Sequence, residues 1–392
     1  MGRQLKKRSG STALELFFKY SLYIESVLIF LLFGILTGGT FISTRNLSNL
    51  MMQGATCSII AVTMMLVIVS CNADLSAGLV LGCLGTLAAS IQVTYSLSTG
   101  LSLIVMLLCC LLIGAWHGFW IGYKKLPAFI VTLATQLVAK GVTLLIGGGI
   151  AIGPINESFA WIGKSYLPNI LDIESFNVLS AIITTVLLIV YLVLMIRGEC
   201  KKIKMGLIKP RWGKKIATLC GFCAASLVIS AIFIFYKGFP YAILLLIAIT
   251  GIYHFVVNNT SFGRHVFAIG GNVEAARLCG INVEKTIFII YILHSIQVGL
   301  AAIVYLGRVG QATATAGTSF EFTAITGCVV GGTSIAGGRG NVLGAVVGTM
   351  LMAALDNGMS LLNMGQDIQY IVKGLVLMFA IAMDVISRTR KS

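Results

Sequence analysis

Apolar runs of about 17 to 25 residues, separated by short polar turns, recur along the whole chain. They fall near 22–42, 50–71, 77–95, 99–121, 128–150, 177–196, 216–236, 239–257, 286–306, 322–337, 341–357 and 369–387. A hydrocarbon core of about 30 Å is crossed by about 20 helical residues, so the pattern predicts about twelve membrane spans. Strands of a membrane β-barrel would alternate polar and apolar over about ten residues, and these runs do not. The run at 322–337 is short and rich in glycine. It is either a crossing or, with its successor, half of a broken or re-entrant pair. The expected fold class is all-α, a polytopic helix bundle of about twelve spans. It forms one domain over residues 1–392, since the loops are too short for a second core. The pair of runs at 177–236 lies between two four-run blocks, 50–150 and 286–387, whose mutual similarity is faint.

One insert breaks this apolar pattern. Gly270 to Val283 reads GGNVEAARLCGINV, polar and helix-favouring, and belongs in water. Asn272 suits an N-cap and Gly280 a left-handed C-terminal cap. Between them stand Glu274, Ala275, Ala276 and Arg277, strong helix formers with the acid early and the base late, as the helix dipole prefers. A second motif, Gly340-xxx-Gly344-xxx-Gly348, predicts one flat helical face for close helix packing.

Composition agrees with the pattern: 57% of residues are hydrophobic and 10% charged, against roughly 25% charged in soluble domains. The net charge of +15 is unevenly distributed. In a twelve-span layout the basic residues at 3–8, 124–125, 197–215, 264–285, 339 and 388–391 share one side, and only Arg45, Lys164, Lys237 and Arg308 fall on the other. The positive-inside rule makes the richer side cytoplasmic. That assigns to the cytoplasm an N-terminal segment 1–20, a loop at 258–285 and a tail at 388–392, and it accounts for the charge without nucleic acid. The N-terminus reads as a basic lead into the first span and not as a cleaved signal peptide. The ten cysteines lie mostly inside spans and behave as small apolar residues.

The candidate chemistry is sparse. Around Gly206 to Lys215 the chain lacks the glycine spacing and the Ser or Thr after Lys of a phosphate-binding loop. The glycines at 331–340 follow no Rossmann strand. No catalytic triad or metal-ligand spacing is visible, and His117, His254, His265 and His294 are scattered, which favours structural or interfacial roles. No catalytic residue, metal or cofactor is therefore expected. Ionisable residues inside spans are costly and informative. Asp74 either caps the third span or meets a solute; Lys140, Lys373 and Asp384 either pair with other helices or snorkel; Glu25 can reach the interface. A neutral, hydroxyl-rich solute would use amides, hydroxyls and small residues more than charge; Asn72, Ser76, Thr132, Thr135, Gln136, Gln297 and Thr326 supply such groups, and Asp74 joins them along a candidate path.

Several motifs together resemble one family. GGNVEAARLCGINVEKT (Gly270 to Thr286) resembles the cytoplasmic coupling segment of sugar permeases in ABC importers. DLSAG (Asp74 to Gly78), KLPAFIVTLA (Lys125 to Ala134) and GGTSIAGGRGNVLGAVVG (Gly331 to Gly348) resemble other motifs of that family, over roughly residues 20 to 387. The run Leu355 to Gly374 resembles its xylose-type members more than its ribose- or galactose-type ones. The resemblance implies a ten-span core, with the pair of runs at 177–236 as a peripheral addition to it, in a permease subunit without enzymatic activity in a bacterial plasma membrane, passing a monosaccharide such as xylose or a related pentose. It implies as partners a second copy of the chain, a cytoplasmic ATPase that binds the ATP and Mg, and a periplasmic or lipid-anchored sugar-binding protein, all among membrane lipid. The ATPase-coupling residues it implies are Gly271, Asn272, Glu274, Ala275, Ala276, Arg277 and Gly280. An ion-coupled secondary sugar transporter is the alternative; it would need no docking helix and would rely on buried ion ligands, for which Asp74, Lys140 and Asp384 are the candidates. A structural scaffold is a third reading, disfavoured by the glycine-rich breaks.

Overall fold

A computed structural model of the chain describes residues 10–171, 176–205 and 212–389. The basic residues at 3–8, Lys209, Arg211, Arg390 and Lys391, with parts of the 1–20 and 388–392 segments and of the 206–215 stretch, lie outside the described residues. Fifteen α-helices follow one another: α1 (Gly10–Leu36), α2 (Thr44–Val69), α3 (Ala77–Ala89), α4 (Thr99–His117), α5 (Ala128–Gly147), α6 (Glu157–Lys164), α7 (Val178–Lys204) and α8 (Trp212–Ile234). Then come α9 (Tyr241–Asn259), α10 (Ser261–Gly271), α11 (Val273–Leu278), α12 (Val283–Val309), α13 (Phe320–Val330), α14 (Val342–Leu361) and α15 (Gln366–Thr389). Wider π-helical turns prolong α3 through Ser90–Thr94 and α4 through Gly118–Tyr123. Among the described residues there are no strands beyond two isolated bridges, Ile152 with Ala312 and Tyr166 with Pro240.

Every predicted apolar run falls on a helix. Nine described helices are long and apolar enough to cross a membrane, and three shorter apolar segments, Ile24–Leu36, Leu219–Ile234 and Phe320–Val330, occupy the remaining runs. The run at 322–337 takes the broken form. Its helix stops at Val330, and 11 residues span only about 16 Å. The chain then turns through Gly332, Gly337 and Gly338, all at positive φ, and returns as α14 against α13.

That return corrects the expected three-glycine face. Asn341 is the N-cap of α14, so Gly340 precedes the helix and packs instead under Val69 and Met65. Gly344 and Gly348 do form a face, and its partners are two further glycines. A Cβ on Gly344 would strike the carbonyl of Gly331, and one on Gly348 the carbonyl of Gly327. A second seam of this kind joins α4 and its π-turn to α12. A Cβ on Gly114 would lie 2.8 Å from Ile292 Cα, one on Gly118 2.9 Å from Phe288 Cα, and one on Gly122 2.9 Å from the Glu284 carbonyl. Spacing of four residues puts all three on one side, where the backbones meet directly.

The core is built around α2, which is buried nearly throughout and packs on α9, α12, α13 and α14. α15 lies outside, and α7 packs mainly on α8, which reaches α2. The loops sort to two ends of the bundle. At one end the Gly338 amide donates to Val69 O at 2.9 Å, Cys71 Sγ to Gly270 O at 3.5 Å, and Lys125 approaches Glu284 at 4.0 Å. α15 finishes there as well: Asp384 accepts from Ser334 Oγ at 2.6 Å and from the Ile335 amide at 3.3 Å. At the opposite end the 152–155 strap pairs with Gly310 and Ala312, and Gly163 of α6 packs on α12 beside Arg308.

Candidate functional site

The most polar place inside the bundle is the loop that leaves α2. It dips inward before α3 starts, and Asp74 is buried there at 2% exposure. One carboxylate oxygen accepts from the Ser76 amide at 2.7 Å and from its hydroxyl at 2.6 Å. The expected cap of α3 is thus an Asx turn one residue ahead of the helix, because the amide taken is that of Ser76 and not of the first turn. The Leu75 amide donates to Thr132 Oγ1 at 3.2 Å, which ties the loop to α5.

The other Asp74 oxygen faces two histidines, 3.6 Å from His117 Nδ1 of α4 and 3.4 Å from His294 Nε2 of α12. The two rings are far apart in sequence, and the glycine seam that draws α4 onto α12 brings them together, with His117 standing directly before Gly118. On their far sides His117 Nε2 meets Thr135 Oγ1 at 2.9 Å and His294 Nδ1 meets Thr63 Oγ1 at 2.9 Å.

Beside this group the N-terminus of α13 meets α3. Gly78 packs against Glu321 and the Gly317 carbonyl, and Gly82 against the Ala316 carbonyl, contacts a larger residue would prevent. Glu321 is buried, and Gln136 donates to its Oε1 at 3.3 Å. Lys140, one turn on, donates to the Ala314 carbonyl at 2.6 Å, so it pairs and does not snorkel. Lys373 likewise pairs with Asp356 at 2.8 Å. The expected path residues Asp74, Ser76, Thr132, Thr135 and Gln136 therefore come together, with His117, His294 and Glu321 added. Asn72 instead bonds Ser70 at the bundle's end, Gln297 bonds Tyr253 between α12 and α9 at 3.2 Å, and Thr326 is buried farther along α13.

The water-suited insert is α11 with its caps. Asn272 Oδ1 accepts from the Ala275 amide at 3.0 Å. Gly280 lies at φ 80°. The Ile281 and Gly280 amides return to Ala276 and Arg277 carbonyls, a Schellman closure. Ala276 and Ile281 pack on Ile269, Val283 and Ile287, so only one face is anchored. Arg277 reaches Glu284 at 2.9 Å, which leaves Glu274 exposed, beside Leu278 at 89% exposure. Removing the N-cap costs about 1 kcal/mol. Asn272→Ala is accordingly expected to speed hydrogen exchange at the Ala275 amide about fivefold with α12 unchanged, as read by exchange mass spectrometry.

Residues 166–381 match the protein family described as "Branched-chain amino acid transport system / permease component". The chain is 39% identical over 366 residues to the xylose transport system permease protein XylH of Escherichia coli (strain K12), spanning 93% of this chain and 91% of that protein. The Haemophilus influenzae XylH is 36% identical over 373 residues, 95% and 97% of the two chains. The E. coli ribose import permease protein RbsC is 29% identical over 351 residues, 88% and 87% of the two. No solved structure matches the chain.

Proposed function

The chain belongs to this family of membrane-embedded permease components, and on that premise we propose that it passes D-xylose, or a closely related pentose, into a bacterial cytoplasm as the membrane subunit of a binding-protein-dependent ABC importer. The observation that carries the choice of sugar is the 39% identity to a xylose permease over nearly the full length of both chains, against 29% to a ribose permease. In this reading a cytoplasmic ATPase binds ATP and Mg, a sugar-binding protein delivers the solute from outside, and two copies of the chain enclose the path. The chain itself does no chemistry on the sugar.

Force would enter at α11. Its neighbour Gly270 packs on the Val69 carbonyl and on Gly338, so a push there moves the end of α2 and the glycine turn together. The loop carrying Asp74 begins at the next residue, Ser70, and the Leu75 amide passes the displacement to Thr132 of α5. The path polar groups would be Asp74, Ser76, Thr132, Thr135, Gln136 and Glu321. Gln297 and Asn72 fit it poorly, being engaged elsewhere.

The orientation has twelve passes with the α11 end and both termini in the cytoplasm. Its support is that Lys124, Lys125, Arg264, Arg277, Lys285 and Arg339 gather at that end and Arg45, Lys164 and Arg308 at the other. With Cys71, Cys200, Cys220 and Cys279 replaced, Asn272→Cys should react with an impermeant maleimide in inverted vesicles and not in intact cells. Labelling from outside would reverse the topology.

The functional test is labelled-xylose uptake into vesicles containing the chain, with ATP, the partner ATPase and the binding protein each supplied or withheld. Uptake requiring all three, and favouring xylose over ribose, is expected. Uptake that follows a proton gradient without the ATPase would establish the secondary-transporter reading, for which the buried Asp74 and its two histidines are the specific observation.

A further inference from the structure

We propose that Asp74, His117 and His294 form a buried proton-binding site, which holds one proton more than a carboxylate with two neutral imidazoles. All three residues are at most 2% exposed. Each ring is held from behind by a threonine hydroxyl, and each hydroxyl also lies against a carbonyl of its own helix, Thr135 on Val131 at 3.0 Å and Thr63 on Ile60 at 3.3 Å. With the hydroxyl protons given to those carbonyls, the ring N–H groups point at the threonines. His117 Nδ1 and His294 Nε2 then turn bare nitrogens toward the same Asp74 oxygen, and neither nitrogen has a hydrogen-bond partner. Three acceptors converge with no donor among them.

In the reverse tautomers both rings could donate to the carboxylate, but the group would then carry a full negative charge deep in the bundle. Nothing cationic faces it. From α2 comes Thr63, from the loop Ser76, from α5 Thr132 and Thr135, from α12 Tyr291, and from α13 a second acid, Glu321. Lys140 is committed to the Ala314 carbonyl. Burying an uncompensated charge costs several kcal/mol, and one added proton between the carboxylate oxygen and either ring nitrogen removes that cost while supplying the missing donor. Bound there, it fastens the loop after α2 to both α4 and α12.

The test needs no transport assay and is independent of the solute. The chain has four histidines, so His254→Gln with His265→Gln leaves only the two rings in question. The full-length double variant, labelled with 15N-histidine and held in lipid bilayers at pH 7.5, is examined by solid-state NMR, with an infrared spectrum for a protonated carboxyl. One imidazolium per chain is expected, and Asp74→Asn should abolish it. A protonated Asp74 carboxyl with neutral rings would equally locate the proton in the site. Two neutral rings beside an ionised carboxylate would overturn the proposal, as would a stoichiometric divalent metal in the purified protein. Because the chain with Asp74 intact decides between these outcomes, misfolding of Asp74→Asn leaves the test valid.

Discussion

Gly344→Leu is expected to lower sugar uptake about tenfold or more at near-normal expression. The Gly344 face of α14 meets the Gly331 carbonyl with no space for a Cβ, and what lies opposite is backbone, which cannot rotate away. Overpacking of this kind costs about 1 to 3 kcal/mol, and 1.4 kcal/mol is already about a factor of ten in an equilibrium. The natural control is Gly141→Leu on α5, where a Cβ meets nothing within 4 Å; uptake and thermal stability in detergent should both stay near the parent's. If Gly344→Leu also transports normally, the α13–α14 seam opens without consequence and the close approach is unimportant for function.

Glu274→Lys is expected to abolish sugar-stimulated ATP hydrolysis by the assembled importer while the chain inserts and folds normally. Glu274 is the exposed acid of the first turn of α11, where it complements the helix dipole. Arg277, though exposed, is already paired with Glu284, whereas no ion pair occupies Glu274 among the described residues. Its reversal would add a cation to a surface already carrying Lys125, Arg277 and Lys285, and association set by charge complementarity is lost by such a change. Arg277→Ala removes only a partly exposed ion pair, worth about 0 to 1 kcal/mol, and should leave most of the stimulated hydrolysis. Full hydrolysis by Glu274→Lys in reconstituted vesicles would mean that the ATPase docks elsewhere.

The helices and α11 were legible because they depend on local rules. Length and hydropathy mark each run, and the Asn272 cap, the Gly280 turn and the order of Glu274 and Arg277 are all read within nine residues. The buried group was not legible in the same way. Asp74, His117 and His294 are joined only after α4 and α12 come into contact, and nothing near His117 marks it except the glycines. Gly114, Gly118 and Gly122 carry the same four-residue spacing as Gly340, Gly344 and Gly348, and that spacing is the one signal in the sequence for the helix pair and for the histidine beside Gly118. Glu321 had a plainer signal, an acid at the mouth of an apolar run. Gly340 shows the opposite failure, since spacing alone cannot tell whether a helix has yet begun.

The two glycine seams, α4 on α12 and α13 on α14, also bear on how the bundle can deform. Ordinary helix pairs interlock through side chains seated between those of a neighbour, so one helix moves along another only by lifting each knob out of its hole. Where backbone meets backbone there are few knobs to lift, and the contact is held by dispersion and short C–H···O approaches that re-form after a small slip. Both seams therefore favour sliding parallel to the helix axes over opening like a hinge, which makes shear between stiff blocks the motion this architecture resists least.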